Sequence, residues 1–326
     1  MKMLMLLLLC AMLAAGCGQP ANNSATAPDG GRMYKIAFAY FGPEEACDNC
    51  ISGVMAGLKA EGFEEGKNLE IIKRHAGGEI ANIPGIMQSL EAQGIDIIVP
   101  MSTPCVAGAA NTIKNTNVVF CYTYDPLGAG VGKSLTDHLP NFTGIASFPP
   151  VTDTIKYMRV MLPQATKLGT LYNPAEPNSV KAVKVAREAL AGSNVTLEEV
   201  TVANTNEVMQ AAQALLARGV QGVWLTGDNT AIQALESIIK VTQDAKIPLI
   251  LNDPEYVQRG ATGAFGIGWV AVGEAGGRMM ARVLRGEKPA TMPIVELAGR
   301  RVIISDTNAQ AIGLAIPAEV RALVTP

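Results

Sequence analysis

The chain has 326 residues, two histidines and a formal net charge of −3. That length exceeds one small core and suits two domains of ordinary size, and the slight acidic balance leaves no basic footprint for nucleic acid. His75 and His138 lie far apart in sequence, which argues against a histidine-rich metal site or a histidine-based triad.

The first residues are read as a targeting segment. Met1-Lys2 gives a positive start, Met3 to Leu13 an apolar core short for a permanent span, and Ala14-Ala15-Gly16-Cys17 a run of small residues ending in cysteine. The run Leu13 to Cys17 resembles the lipobox of bacterial lipoproteins, with the leucine one place further from the cysteine than usual. It implies removal of 1–16 and lipid attachment at Cys17; an ordinary secretory signal cut nearby stays open. The stretch 17–33, rich in Asn, Ala, Pro and Gly, has little apolar area to bury and reads as a flexible tether. Nothing after Leu13 is apolar for long enough to cross a membrane, so an extracytoplasmic, membrane-anchored lipoprotein is expected.

From Tyr34 strands and helices alternate. Tyr34 to Tyr40 reads as a strand, Phe41 to Glu45 as a loop, and Ala46 to Glu61 as a helix with apolar residues at Ile51, Val54, Met55 and Leu58. Leu69 to Arg74 follows as a strand and Ile80 to Gln93 as a helix closed by Gly94. Ile95 to Met101 is an apolar strand that stops at Ser102-Thr103-Pro104. Thr103 is suited to cap the next helix, and Pro104 suits its first position. The strand Val118 to Thr123 stops at Tyr124-Asp125-Pro126, and Asn141 to Ser147 reads as a strand leaving the first domain at Phe148-Pro149-Pro150.

The programme then repeats. Lys167 to Tyr172 is a strand ending at Asn173-Pro174, and Asn178-Ser179 opens a helix to Leu190. Thr196 to Val202 is a strand and Thr205 to Arg218 a helix stopped by Gly219. Val220 to Thr226 is a strand ending at Gly227-Asp228-Asn229, Thr230 to Asp244 a helix, and Ile247 to Leu251 a strand ending at Asn252-Asp253-Pro254. Gly263 to Ile267 reads as a strand returning toward the first half, Val272 to Leu284 as a helix and Val302 to Ser305 as a strand. Helical crossovers demand parallel sheets, so the expected fold is α/β: two Rossmann-like lobes, 34–145 with 266–290 and 146–265 with 291–326, joined by several crossings. Their polar strand tips would face each other across a cleft that closes on a ligand.

Several segments carry a family resemblance: GLKAEGFEEGKN (57–68), VPMSTPCVAGAAN (99–111), YTYDPLGAG (122–130), LYNPAEPNSV (171–180), TGDNTAIQALE (226–236), RGATGAFGIG (259–268) and VLRGEKPA (283–290). In order and spacing the chain resembles the ABC transporter substrate-binding family of the periplasmic-binding-protein type I superfamily, whose characterised members include tryptophan- and tyrosine-binding lipoproteins. The resemblance implies one small ligand, an amino acid or related zwitterion, between the lobes, no catalysis, no cofactor, a monomer, and a permease with its ATPase as partners. By position the first lobe offers Tyr40, Phe41, Ser102, Thr103, Tyr124 and Asp125, and the second Asn173, Asn178, Ser179, Asp228, Asn229 and Asp253. Relatives tend to carry Gln and His where this chain has Tyr40 and Glu44, and an acidic residue where Gly268 stands.

Some roles follow from the residues themselves. Ser102-Thr103 and Asn178-Ser179 each introduce a helix N-terminus, suited to a carboxylate. Asp228 is suited to pair with an α-ammonium, and Phe41, Tyr124 or Trp269 to form an aromatic wall. Asp125-Pro126 and Asp253-Pro254 also fit plain turn formers, and both readings stay open. Cys47 and Cys50 form CxxC at a helix start, with a disulfide, buried unpaired thiols at Cys105 and Cys121, or a thiolate metal site as the alternatives. No HExxH, GxSxG or P-loop motif occurs. An extracytoplasmic ligand- or metal-sensing lipoprotein is the competing function.

Overall fold

The computed structural model of the chain describes residues 31–325. The signal peptide expected over 1–16, the lipidation site at Cys17 and nearly all of the tether lie outside the described residues. The first half contains β1 (Tyr34–Tyr40), α1 (Glu45–Ala60), β2 (Leu69–His75), α2 (Ile83–Glu91), β3 (Ile97–Met101), α3 (Thr103–Thr112), β4 (Asn117–Thr123) and β5 (Phe142–Ala146). The second contains α4 (Val151–Met161), β6 (Lys167–Tyr172), α5 (Pro177–Leu190), β7 (Thr196–Thr201), α6 (Val208–Ala217), β8 (Gly222–Leu225), α7 (Asn229–Gln233), α8 (Leu235–Asp244), β9 (Leu249–Leu251) and β10 (Gly263–Gly266). After these come α9 (Trp269–Leu284), β11 (Val295–Glu296), β12 (Arg301–Ile304), α10 (Asp306–Ala311) and α11 (Ala318–Arg321).

These strands form two six-stranded sheets, ordered β11-β5-β4-β3-β1-β2 and β12-β10-β9-β8-β6-β7. The first is parallel throughout; in the second only β12 runs antiparallel, against β10. Every residue of β3, β5, β8, β9 and β10 is buried, as expected for strands covered by helices on both faces. Gly94 and Gly219 sit at φ 64° and 74° just past α2 and α6, which explains why the helical pattern stops there.

The architecture differs from the expected one in three places, two of them crossings between the lobes. β10 stays in the second sheet, paired with β9 and β12, so the chain returns to the first lobe through α9. β11 then joins the first sheet beside β5, which moves the last crossing past Glu296 instead of placing it at 291. The expected helix 230–244 breaks at Ala234 (φ −117°, ψ 26°) into α7 and α8; a short helix at the tip of β8 can then point independently of the longer one.

α9 is fixed to α1 by backbone contact. Gly53 and Gly57 of α1 face Gly273 and Gly277 of α9, and a Cβ at any of the four would collide with main-chain atoms of the other helix, including the carbonyls of Val270, Glu274, Cys50 and Val54. Two small-xxx-small faces thus bring the helices closer than side chains would allow, with the reciprocity of the glycines setting the register. The returning helix therefore belongs to the first lobe.

The four cysteines among the described residues, Cys47, Cys50, Cys105 and Cys121, are free and buried, which corrects the Cys47–Cys50 bridge. Cys47 Sγ lies 3.9 Å from Met101 Sδ, and Cys50 neighbours Cys121. Core packing draws the two thiols to different partners although the helix places them on one face. Burial raises all four thiol pKa values, to about 12 for Cys105 and Cys121. Among the described residues no group of three or more His, Cys, Asp or Glu is arranged to hold a metal ion.

Candidate ligand site

The strand tips of the two sheets meet over a narrow, partly open pocket that leaves only about 20 Å³ for the centre of a water-sized sphere. The first lobe contributes Glu44, Ser102, Thr103, Tyr122 and Tyr124 to its wall, the second Asn178, Gly227, Asn229, Ile232 and Asp253, and Trp269 closes it from the head of α9. No lysine, arginine or histidine lines it.

Local chain chemistry places these groups. Ser102 caps α3 weakly, its Oγ accepting from the Cys105 N–H at 3.4 Å, and stands at φ 92°, a backbone region unfavourable for a residue with a Cβ. Its own N–H donates to the carbonyl of Tyr122 at 2.9 Å. Tyr122 is itself at φ 54°, where the pairing of β4 with β5 slips between Phe120 and Thr123. That irregularity turns the Tyr122 ring to the cavity, where it meets Trp269 with centroids 4.3 Å apart. Trp269 also lies nearly parallel to Tyr124, at 5.8 Å and 15°. Gly227 leaves room for the Tyr124 ring, since a Cβ there would overlap it.

Two carboxylates face this aromatic wall. Asp253 Oδ1 accepts from Tyr124 Oη at 3.2 Å and from Trp269 Nε1 at 3.1 Å; burial raises its pKa to about 6 against the pull of both bonds. Glu44 Oε2 accepts from Tyr256 Oη at 3.0 Å. Glu44 is half-buried, and desolvation followed by the charge of Asp253 pushes its pKa up to about 8. Next to Asp253, burial raises Glu255 to about 7.

Beneath the second-lobe wall, a buried hydrogen-bonded unit consumes the end of α7. Glu176 accepts from the N–H groups of Asn229 and Thr230, both at 2.9 Å, from the Thr230 hydroxyl at 2.8 Å and from the Asn229 amide at 2.5 Å. Asp228 accepts from Ala231 N and Asn173 N, both at 2.8 Å, and from Ser179 Oγ at 2.6 Å. Burial raises both acids. Asn178 Nδ2 donates to the Gly227 carbonyl at 3.0 Å, while its Oδ1, also buried, has no partner.

Of the twelve residues named from sequence, the structure brings Ser102, Thr103, Tyr124, Asn178, Asn229 and Asp253 to the cavity wall. The other six lie elsewhere. Ser179 and Asn173 both donate to Asp228 behind the wall, so Asp228 is a helix cap there and not a surface for an ammonium. Phe41 is in the first-lobe core, and Tyr40 lies beside His75 at 5.6 Å between centroids. Asp125 pairs with Lys181 of the opposite lobe at 3.2 Å. Sequence reasoning named Trp269 as an aromatic wall but passed over Tyr122, Gly227 and Ile232, and met Glu44 only as a departure from relatives. The unusual backbone that aims Tyr122 has no composition signal.

Two similar α/β lobes closed over a small lined cavity define a ligand-trapping binding protein. The chain belongs to the ABC transporter substrate binding protein family, which it matches over residues 35–325; that family consists of substrate-binding proteins, not enzymes. It is 24% identical to a tyrosine-binding protein of Clostridioides difficile, across 93% of this chain and 88% of that one. Its structure resembles the ABC domain in complex with L-Trp from Streptococcus pneumonia, with a TM-score of 0.85 at 26% identity over 90% of this chain and 98% of that one. A conserved domain protein from Vibrio cholerae gives 0.86 at 29% identity, over 90% and 99%. The ligand-free, open structure of a substrate binding protein with adhesive properties from Clostridium difficile, 24% identical over 90% and 98%, gives 0.66.

Proposed function

We propose that this substrate-binding protein is the extracytoplasmic receptor of an ABC importer and that it captures an α-amino acid, of the aromatic class first, by closing its lobes. The observation that carries this reading is the cavity itself. It joins an aromatic wall (Tyr122, Tyr124, Trp269), two acids (Glu44, Asp253) and the N-terminus of α3 around one interlobe pocket. A zwitterion with a flat apolar side chain satisfies all three: ammonium to the acids, carboxylate to the helix end, ring to the aromatic wall. The tyrosine-binding and L-Trp-bound relatives support the same ligand class.

In this reading Cys17 carries the lipid that holds the protein at the membrane, 17–33 is the tether, and the receptor works as a monomer that docks on a permease driven by its ATPase. Calorimetric titration with L-tryptophan and L-tyrosine tests the ligand, with saturable one-site binding expected. Absence of binding to either, together with a non-amino-acid compound found by mass spectrometry on the purified protein, would overturn it. Replacement Cys17→Ser is expected to move the protein from the membrane to the soluble fraction.

A further inference from the structure

The two cavity carboxylates come from opposite lobes, and each is held by donors of the lobe it does not belong to. Glu44, in the loop before α1, accepts from Tyr256 of the second lobe. Asp253, at the tip of β9, accepts from Tyr124 of the first lobe and from Trp269 at the head of α9. Closure therefore exchanges acids between lobes and brings two of them into one space with no basic side chain in its wall. A third acceptor, the unpartnered Oδ1 of the 98% buried Asn178, lines the same space.

We propose that Glu44 and Asp253 form a charge latch: the ligand's ammonium lies between them and Asn178 Oδ1, and this positive group, not the ligand's carboxylate, drives the lobes shut. The inference rests on the reading of the cavity as an amine-binding ligand site and deepens it. Two acids meeting in a dry cleft cannot both stay ionised, and Glu44 answers by holding a proton up to about pH 8; the ammonium takes that proton's place and compensates both charges. A primary ammonium has three donors, one for each of the three acceptors, and it bonds to partners on both lobes at once. Without it, closure has to keep the Glu44 proton, and above about pH 8 the exchanged bonds from Tyr124, Trp269 and Tyr256 have to offset the repulsion alone, so the open form is favoured there.

The test measures lobe closure by small-angle scattering of the purified protein with three matched probes: L-tryptophan, tryptamine, which lacks the carboxylate, and indole-3-propionate, which lacks the amine. The amino acid and the amine are expected to reduce the radius of gyration to the same closed value, and the acid to leave it unchanged. Above about pH 8, where Glu44 gives up its proton, Glu44→Gln removes one charge of the pair, so the ligand-free variant is expected to shift toward the closed value there, with Asp253→Asn as a second variant doing the same. Affinity of Glu44→Gln for L-tryptophan is expected to fall about tenfold or more, since it loses a charge-assisted partner. Equal compaction by L-tryptophan and indole-3-propionate, or ligand-free variants as open as the parent, would overturn the latch while leaving an amino-acid receptor intact. Compaction by tryptamine alone would support the latch and remove the amino-acid reading; no compaction by any probe would overturn both.

Discussion

The two lobes run the same strand and helix sequence, yet they use the helix ends at the cleft in opposite ways. In the first lobe the end of α3 is nearly vacant of partners: Ser102 reaches Cys105 N at only 3.4 Å, the Thr103 N–H has no intrahelical partner, and Pro104 has none to offer. In the second lobe the first three N–H groups of α7 are taken by Glu176 and Asp228. The same element thus keeps its first N–H groups open on one side and is an internally plugged support on the other. An incoming carboxylate has the first lobe only, and the second presents acids and amides.

The largest test of this contrast removes the plug. Glu176→Ala leaves two N–H groups, a hydroxyl and an amide in the interior without acceptors, and the expected loss is about 3 to 5 kcal/mol by urea unfolding, the range seen when one partner of a buried polar cluster is deleted. A loss below about 1 kcal/mol would mean that α7 does not depend on the acid. Asp228→Ala deletes a helix cap and the partner of Ser179 and Asn173, with an expected cost of about 2 kcal/mol. Ligand affinity should fall with it because the support of Asn229 and Asn178 loosens. If affinity fell strongly with no change in stability, Asp228 would be a direct ligand contact, as its place at a strand tip first indicated.

The acids facing the cavity predict a pH profile of smaller size. Glu44, Asp253 and Glu255 hold their protons to about 8, 6 and 7, above their ordinary values of 4.5, 3.8 and 4.5. The folded state then binds more protons than the unfolded chain, so their contribution to stability is fully present below those ordinary values. It is lost as pH rises through 6, 7 and 8 in turn. Around Glu44 the groups concerned are Asp253, Tyr256 and Tyr122. Thermal unfolding of the ligand-free protein should show a falling melting temperature from pH 5 to 8.5, and Glu44→Gln should flatten the upper part. A melting temperature that rises across this window would contradict the enclosed acid pair.

Much of the fold was legible because alternating strands and helices leave few topologies, and Gly94 and Gly219 punctuate them where a left-handed residue is needed. The candidate site was legible only in part. A polar residue at a strand tip has two outlets, the cleft or the first turn of the adjoining helix, and sequence does not choose between them: Asn229 and Asp253 face the cavity, whereas Asp228 and Ser179 turn inward. Tyr122 reads as an interior strand residue and reaches the wall only through a slipped ladder. Glu44 gains its place from a second-lobe tyrosine, Tyr256, more than 200 positions away in the chain, a relation that no local pattern carries.

The smallest expected effect on stability, and the one that isolates the first-lobe helix end, comes from Ser102→Gly. At φ 92° and ψ 149° a residue with a Cβ stores about 1 to 3 kcal/mol of strain, and glycine adopts that backbone freely. Against this relief stand the weak cap, worth a few tenths of a kcal/mol on replacement by glycine, and the extra chain entropy of glycine, about 0.5 to 1 kcal/mol. These terms nearly cancel, so unfolding free energy should stay within about 1 kcal/mol of the parent. Binding should not be neutral: a hydroxyl at the anion end is gone, and L-tryptophan affinity should fall roughly three- to tenfold, the worth of about one hydrogen bond, while tryptamine affinity stays unchanged. Equal losses for both compounds would mean that Ser102 shapes the cavity as a whole and that the ligand's carboxylate lies elsewhere; a loss confined to L-tryptophan would place it on α3.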